Sequence, residues 1–100
     1  MHDLYSWVSQ QHHGLLTFKA FQQELERLSS ADPEQRGLCR LLSNLVGRYV
    51  ERFDEQPVPV ELADRAHRRL LELLASVDPK ADADRRLADI NRVAGWDLLH

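Results

Sequence analysis

Residues 32–53 read DPEQRGLCRLLSNLVGRYVERF, and the fold turns on how this stretch must pack. Asp32 can cap a helix, Pro33 at the first helical position gives up no needed hydrogen bond, and Gln35 at the third can reach back to the cap. Periodicity then carries the helix to Phe53. At about 100° per residue, Leu38, Leu41, Leu42, Leu45, Val46, Tyr49, Val50 and Phe53 cover about half of its circumference, against roughly 100° for a helix lying on a protein surface. A helix this apolar belongs at the centre of a bundle and needs neighbours on several sides.

Those neighbours are visible in the flanking sequence. Upstream, Thr17 is placed as an N-cap, with Leu16 before it and Phe21 after it at the positions of a hydrophobic staple. Phe18, Phe21, Leu25 and Leu28 follow at 3-4-3 spacing, so a mostly polar helix running to about Ser30 buries one narrow seam. Ahead of it, about residues 3–11 form a piece little more than two turns long, with Asp3 as cap and Leu4, Trp7 and Val8 on one face. It is too short to be stable alone and must dock on something; His12-His13-Gly14 ends it. Downstream, Pro57-Val58-Pro59 opens a fourth helix. Its inward face is Val60, Ala63, Leu70, Leu71, Leu74 and Val77, widened by Leu62, Ala66 and Leu73. Asp78-Pro79 repeats the cap-and-proline signal for a fifth helix. Ala83, Leu87, Ile90, Val93 and Ala94 are expected inside, and Gly95 as a left-handed stop. No stretch alternates with period two as a half-buried strand would. The expectation is an all-α fold: a compact bundle of four main helices plus a short N-terminal helix, with residues 1–100 forming a single domain.

The chain of 100 residues is 43% hydrophobic and 29% charged, too rich in aliphatic side chains for intrinsic disorder. No apolar run approaches the ~20 residues that cross a bilayer, so no membrane association is expected. A net charge of −3 has the wrong sign for nucleic acid, and the bases are interleaved with acids without a stacking platform between them. Cys39, the one cysteine, has no partner for an internal disulfide, and no cationic stretch leads into an apolar one near Met1. Both features favour the cytoplasm.

Catalytic and metal chemistry find little support. His67 falls inside the apolar arc of the fourth helix, three residues after Asp64. Carboxylate-x-x-His is half of a di-iron bundle site, which needs a second such pair and two more inward carboxylates. The inward positions elsewhere are aliphatic or aromatic, so His67 reads as a core histidine with one hydrogen bond. A ligand- or metal-binding bundle built on His67 is the rival reading. His12 and His13 are adjacent, so their side chains point apart, and no Cys or His stands at zinc spacing from them. Cys39 lies beyond the first turn of its helix with no general base beside it, and reads as a packing residue. There is no phosphate-binding glycine loop and no nucleophile elbow. The chain is therefore expected to be non-catalytic, with no cofactor and no metal. Its i,i+4 pairs, Glu61 with Arg65, Asp64 with Arg68, Asp82 with Arg86 and Arg85 with Asp89, mark solvated helix faces.

What a lone bundle does not obviously use is apolar surface. Cys39, Ser43 and Gly47 form an i,i+4 row of small side chains on the back of the central helix, where the first helix or a second copy could approach closely. Tyr5 and Trp7 near one end, and Trp96, Leu98 and Leu99 near the other, are typical interface anchors, and apolar termini of this kind dock either onto the protein's own core or onto another chain. Leu62 and Leu73 border the wide arc of the fourth helix, with Arg65 and Arg69 as a basic rim. These residues are the candidate contacts for another protein. The expected function is a small bacterial protein-binding regulator that occludes or docks onto a larger protein, as an anti-activator, inhibitor or immunity protein does. It is expected to be a homodimer; a secretion chaperone or adaptor is the alternative.

Overall fold

The structure, a computed structural model, describes residues 2–78 and 80–99. Five α-helices follow one another: α1 (His2–Ser9), α2 (Leu15–Ala31), α3 (Arg36–Phe53), α4 (Val60–Ser76) and α5 (Ala83–Ala94). Among the described residues there is no strand, and no helix is long and apolar enough to cross a membrane.

Asp32 is the pivot of the first hairpin. Its carboxylate accepts from the Glu34 backbone N–H at 3.1 Å and opens a single 3₁₀ turn, Pro33–Gln35, that leads into α3. α2 and α3 therefore run antiparallel, and Lys19 at the start of α2 meets Asp54 just past the end of α3 at 2.8 Å. Phe18, Phe21 and Leu25 of α2 are buried against Leu38, Leu42, Leu45, Val46, Tyr49 and Phe53 of α3. Phe18, Tyr49 and Phe53 form a run of tilted rings, with centroids 4.6 Å and 5.3 Å apart. Gly47 turns toward α2, where a Cβ would stand 3.1 Å from Gln22 Nε2, and that amide donates to the Ser43 carbonyl at 3.2 Å. The neighbour of the small row is thus α2, in place of α1 or a second copy.

α4 closes the other side of the core with Ala63, Ala66, Leu70, Leu73 and Leu74, and Val77 follows it inward. α1 docks across α4 through Leu4 and Val8, with Trp7 stacked on Phe21 at 6.5 Å. A Cα radius of gyration of 13.0 Å is that of a compact chain of this length.

Several termini differ from the periodicity reading. α1 begins at His2, so Asp3 lies in its first turn and is not the cap. α2 begins at Leu15 with extended Gly14 at the N-cap, and Thr17 is a buried residue inside the helix whose N–H reaches the Gly14 carbonyl. Starting there puts Leu15 and Phe18 on the α3 side and leaves Leu16 80% exposed, unstapled. Val60, at the first position of α4, is 75% exposed for the same reason: it precedes the inward turn set by Ala63. α5 starts at Ala83, capped by the Asp82 carboxylate on the Arg85 N–H at 2.9 Å. The earlier start signal falls partly on Pro79, which lies outside the described residues. Gly95 ends α5 with φ −95°, not in the left-handed region.

Candidate protein-docking face

α5 is amphipathic as expected, but it is rotated so that only part of the expected face points inward. Of the five residues read as inward, only Val93 is buried; Ile90 is half-buried, and Ala83, Leu87 and Ala94 face solvent. Asp89 has 0% of its surface exposed while Leu87 has 60%.

The reason lies at the end of α4, whose last carbonyls have no partner within the helix. Arg85 Nη2 donates to the Ser76 carbonyl at 2.7 Å, and Arg92 Nη1 reaches the same oxygen at 3.4 Å. The two guanidinium groups would repel each other, and Asp89 between them resolves this. Its Oδ1 accepts from Arg85 Nε at 3.0 Å and from Arg92 Nη1 at 2.9 Å, while its Oδ2 accepts from the Asp78 backbone N–H at 3.1 Å. Burial alone would push the Asp89 carboxyl up; the donors from Arg85, Asp78 and Arg92 outweigh it and hold the group below its ordinary value. A buried ion pair alone roughly breaks even against apolar packing. Here it also ties α5 to the end of α4 while α5 packs along α3, and in that orientation most of the apolar stripe lies outside. At about 100° per residue, Ala83, Leu87, Ile90 and Ala94 fall within about 60° of arc.

The residues that sequence reasoning placed at a partner surface have other duties. Leu73, Leu98 and Leu99 are core residues of this chain, at 0%, 3% and 9% exposure: the tail leucines dock on the chain's own core, and the reading of all three as partner contacts is corrected. Tyr5, Trp7, Leu62 and Trp96 are half-buried against that core. Arg65 and Arg69 hold the chain's own tail: Arg65 Nη1 donates to the Leu99 carbonyl at 3.4 Å and Arg69 Nε to the Asp97 carbonyl at 3.3 Å. The Arg69 guanidinium lies 4.0 Å from the Trp96 ring centroid, and Trp96 Nε1 donates to the Arg69 carbonyl at 3.2 Å. Cys39 is buried in the α2–α3 contact, and burial, followed by the nearby Asp32 charge, pushes its thiol up, away from nucleophilic use. Sequence reasoning paired Asp89 with Arg85 but read the pair as solvated, and it missed Arg92. The signal was a carboxylate with arginines at −4 and +3, three polar groups on one face of α5.

The histidine cluster sits where α1 crosses α4. His67 Nε2 donates to the Val8 carbonyl at 2.9 Å, His13 stacks on His67 with centroids 3.9 Å apart, and His13 Nδ1 bonds Asp64 Oδ1 at 2.7 Å. Burial, then the neighbouring His13, outweigh the Val8 bond and pull the His67 pKa below its ordinary value. The ring is thus a neutral tether for α1. Among the described residues no group of three His, Cys, Asp or Glu side chains is arranged to hold a metal ion. Comparison of the chain with protein-family models, with curated proteins and with solved structures gives no match.

Proposed function

We propose that this chain is a non-catalytic, cytoplasmic protein-binding regulator, which docks onto a larger protein through the outer face of α5 and acts by covering what it lands on. The observation that carries this reading is the inverted helix: Leu87 stands in water while Asp89, one half-turn away, is enclosed. The rest of the surface offers less. The tail is tied down by Arg65 and Arg69, and among the described residues the other large exposed apolar side chains, Leu16 and Val60, stand at helix starts and make no stripe along a helix. An exposed apolar strip bordered by polar side chains is the ordinary form of a docking site.

The test is a differential capture. Wild type, Leu87→Asp and Leu16→Asp are used as bait in the native cell extract, each after circular dichroism has confirmed equal helicity. A protein retained by wild type and by Leu16→Asp, and lost with Leu87→Asp, supports the reading. Identical capture by all three baits overturns it.

A further inference from the structure

We propose that the cleft between the second half of α3 and the chain's tail binds a small organic monocarboxylate. Arg48 and Arg52 take its carboxylate, and an apolar body about the size of one ring rests on Leu45, Leu98 and Leu99. This reading is independent of the α5 face. The cleft encloses about 190 Å³. One wall is α3, and the other is the tail from Asp97 to Leu99, held in place by the bonds of Arg65 and Arg69 to its carbonyls. An apolar cavity of about 150 Å³ takes one benzene, so the space suits a single ring or a short branched chain.

The donors of this cleft lack acceptors. Arg27, Arg69, Arg85 and Arg92 each meet a carboxylate at 3.2 Å or less. Arg48 and Arg52 are exposed and form no ion pair among the described residues; Arg52 lies over the Phe53 ring, 5.5 Å from its centroid. The two stand one turn apart, at i and i+4, so both reach one oxyanion, and like charges at that spacing destabilise a helix left to itself. Beside them Tyr49 lines the cleft at 5% exposure. Its hydroxyl is buried with no partner among the described residues, and burial raises its pKa, so it stays a proton donor in want of an acceptor. A carboxylate in the cleft supplies one.

Charge and polarity choose the class of anion. The Asp97 carboxylate also lines the cleft, where its Oδ1 accepts from the Leu99 N–H at 2.7 Å. Two guanidinium groups against one carboxylate leave a single net positive charge, which matches a monoanion better than a phosphate dianion. Arg52 also falls in the last turn of α3, where the negative end of the helix dipole disfavours a second negative charge. Leu45, Leu98 and Leu99 are nearly enclosed and supply an apolar base, which favours a ligand whose remainder is apolar over a hydroxylated one.

The test takes benzoate as the probe, titrated into the isotope-labelled full chain at constant ionic strength and followed by amide NMR shifts. Benzamide and inorganic phosphate serve as comparisons. Saturable shifts at Leu45, Tyr49 and Leu98 are expected, with a dissociation constant on the order of 1 mM for so small a ligand. Benzamide and phosphate are each expected to bind about tenfold more weakly or less. Arg48→Gln and Arg52→Gln should each weaken benzoate about tenfold, and Tyr49→Phe about threefold. Arg36→Gln, which removes another exposed arginine at the far end of the same helix, should leave it unchanged. Circular dichroism confirms equal helicity in each variant. Benzamide binding as well as benzoate would mean an apolar patch indifferent to charge, and phosphate binding as well would mean general attraction to anions; either overturns the proposal. So would shifts that never saturate, or a double variant, Arg48→Gln with Arg52→Gln, that binds benzoate as wild type does.

Discussion

α4 and α5 were drawn with the same rule and obey it in opposite senses. Both have an apolar stripe at helical spacing and a charged opposite face. In α4 the stripe is inside: Ala66, Leu70, Leu73 and Leu74 are core residues, and Asp64, Arg65 and Arg68 face water. In α5 most of the stripe is outside and one carboxylate, Asp89, is in, while Asp84 and Arg85 stay in solvent. Periodicity fixes the angular width of a face, but which way the face points is set by what the neighbouring element lacks. α4 ends at Ser76 with carbonyls to satisfy, and α5 supplies the donors.

The largest way to break that contrast is to remove its pivot. Asp89→Ala leaves two guanidinium groups facing each other without their carboxylate, and the Asp78 N–H without an acceptor. The expected loss is about 3–5 kcal/mol of unfolding free energy in urea titration. Leu73→Ala, the matching change in the ordinary helix, is expected to cost about 2–5 kcal/mol by creating a cavity. A loss under 1 kcal/mol for Asp89→Ala would mean that α5 can turn freely and that its exposed stripe is accidental.

That pivot also marks the limit of what the sequence discloses. Helix class and number follow from proline punctuation and apolar spacing, and the central place of α3 follows from the width of its arc. The side to which α5 turns does not, because Asp89 looks like any i,i+4 partner of Arg85 until Arg92 and the Ser76 carbonyl are brought around it. Gly47 is similar: a gap in the helix surface is evident from spacing, but only the fold shows that Gln22 of α2 fills it. The duties of Arg65 and Arg69 were hidden because their acceptors are carbonyls of the tail, and a carbonyl has no signature in sequence.

Acid should take the two helices apart in order. His67, which tethers α1 to α4, has a folded pKa below the ordinary 6.5, so protons bind the unfolded chain more readily. Stability is then full above pH 6.5 and declines as pH falls through that range toward the folded value. Asp89 is also depressed, below the ordinary 3.8, so its contribution persists until pH falls past 3.8 and is lost below it. Urea midpoints between pH 8 and 2.5 are expected to show two descending steps. In His67→Gln the upper step is expected to disappear and the lower one to remain.

A smaller effect tests whether the α3 core is as well satisfied as the α5 junction. The Tyr49 hydroxyl is buried with no hydrogen-bond partner among the described residues, and burial raises its pKa. Tyr49→Phe keeps the stacking on Phe18 and Phe53 and removes a donor that has lost its water. Stability is expected to be unchanged or higher by about 1 kcal/mol. A drop of that size would mean that the hydroxyl is bonded in solution, and that α3 carries a polar contact of its own.

The smallest stability change is expected at the most consequential residue. Leu87 already has 60% of its surface in water, so little packing is lost on substitution. Leu87→Asp should therefore move the urea midpoint by no more than about 0.5 kcal/mol of equivalent free energy at micromolar concentration. The same substitution is expected to abolish capture of the target. A core leucine cannot behave this way, because its substitution affects folding and association together. If Leu87→Asp instead destabilises the dilute chain by several kcal/mol, α5 must turn its stripe inward in solution. The inversion that separates it from α4 would then be gone, along with the docking face that depends on it.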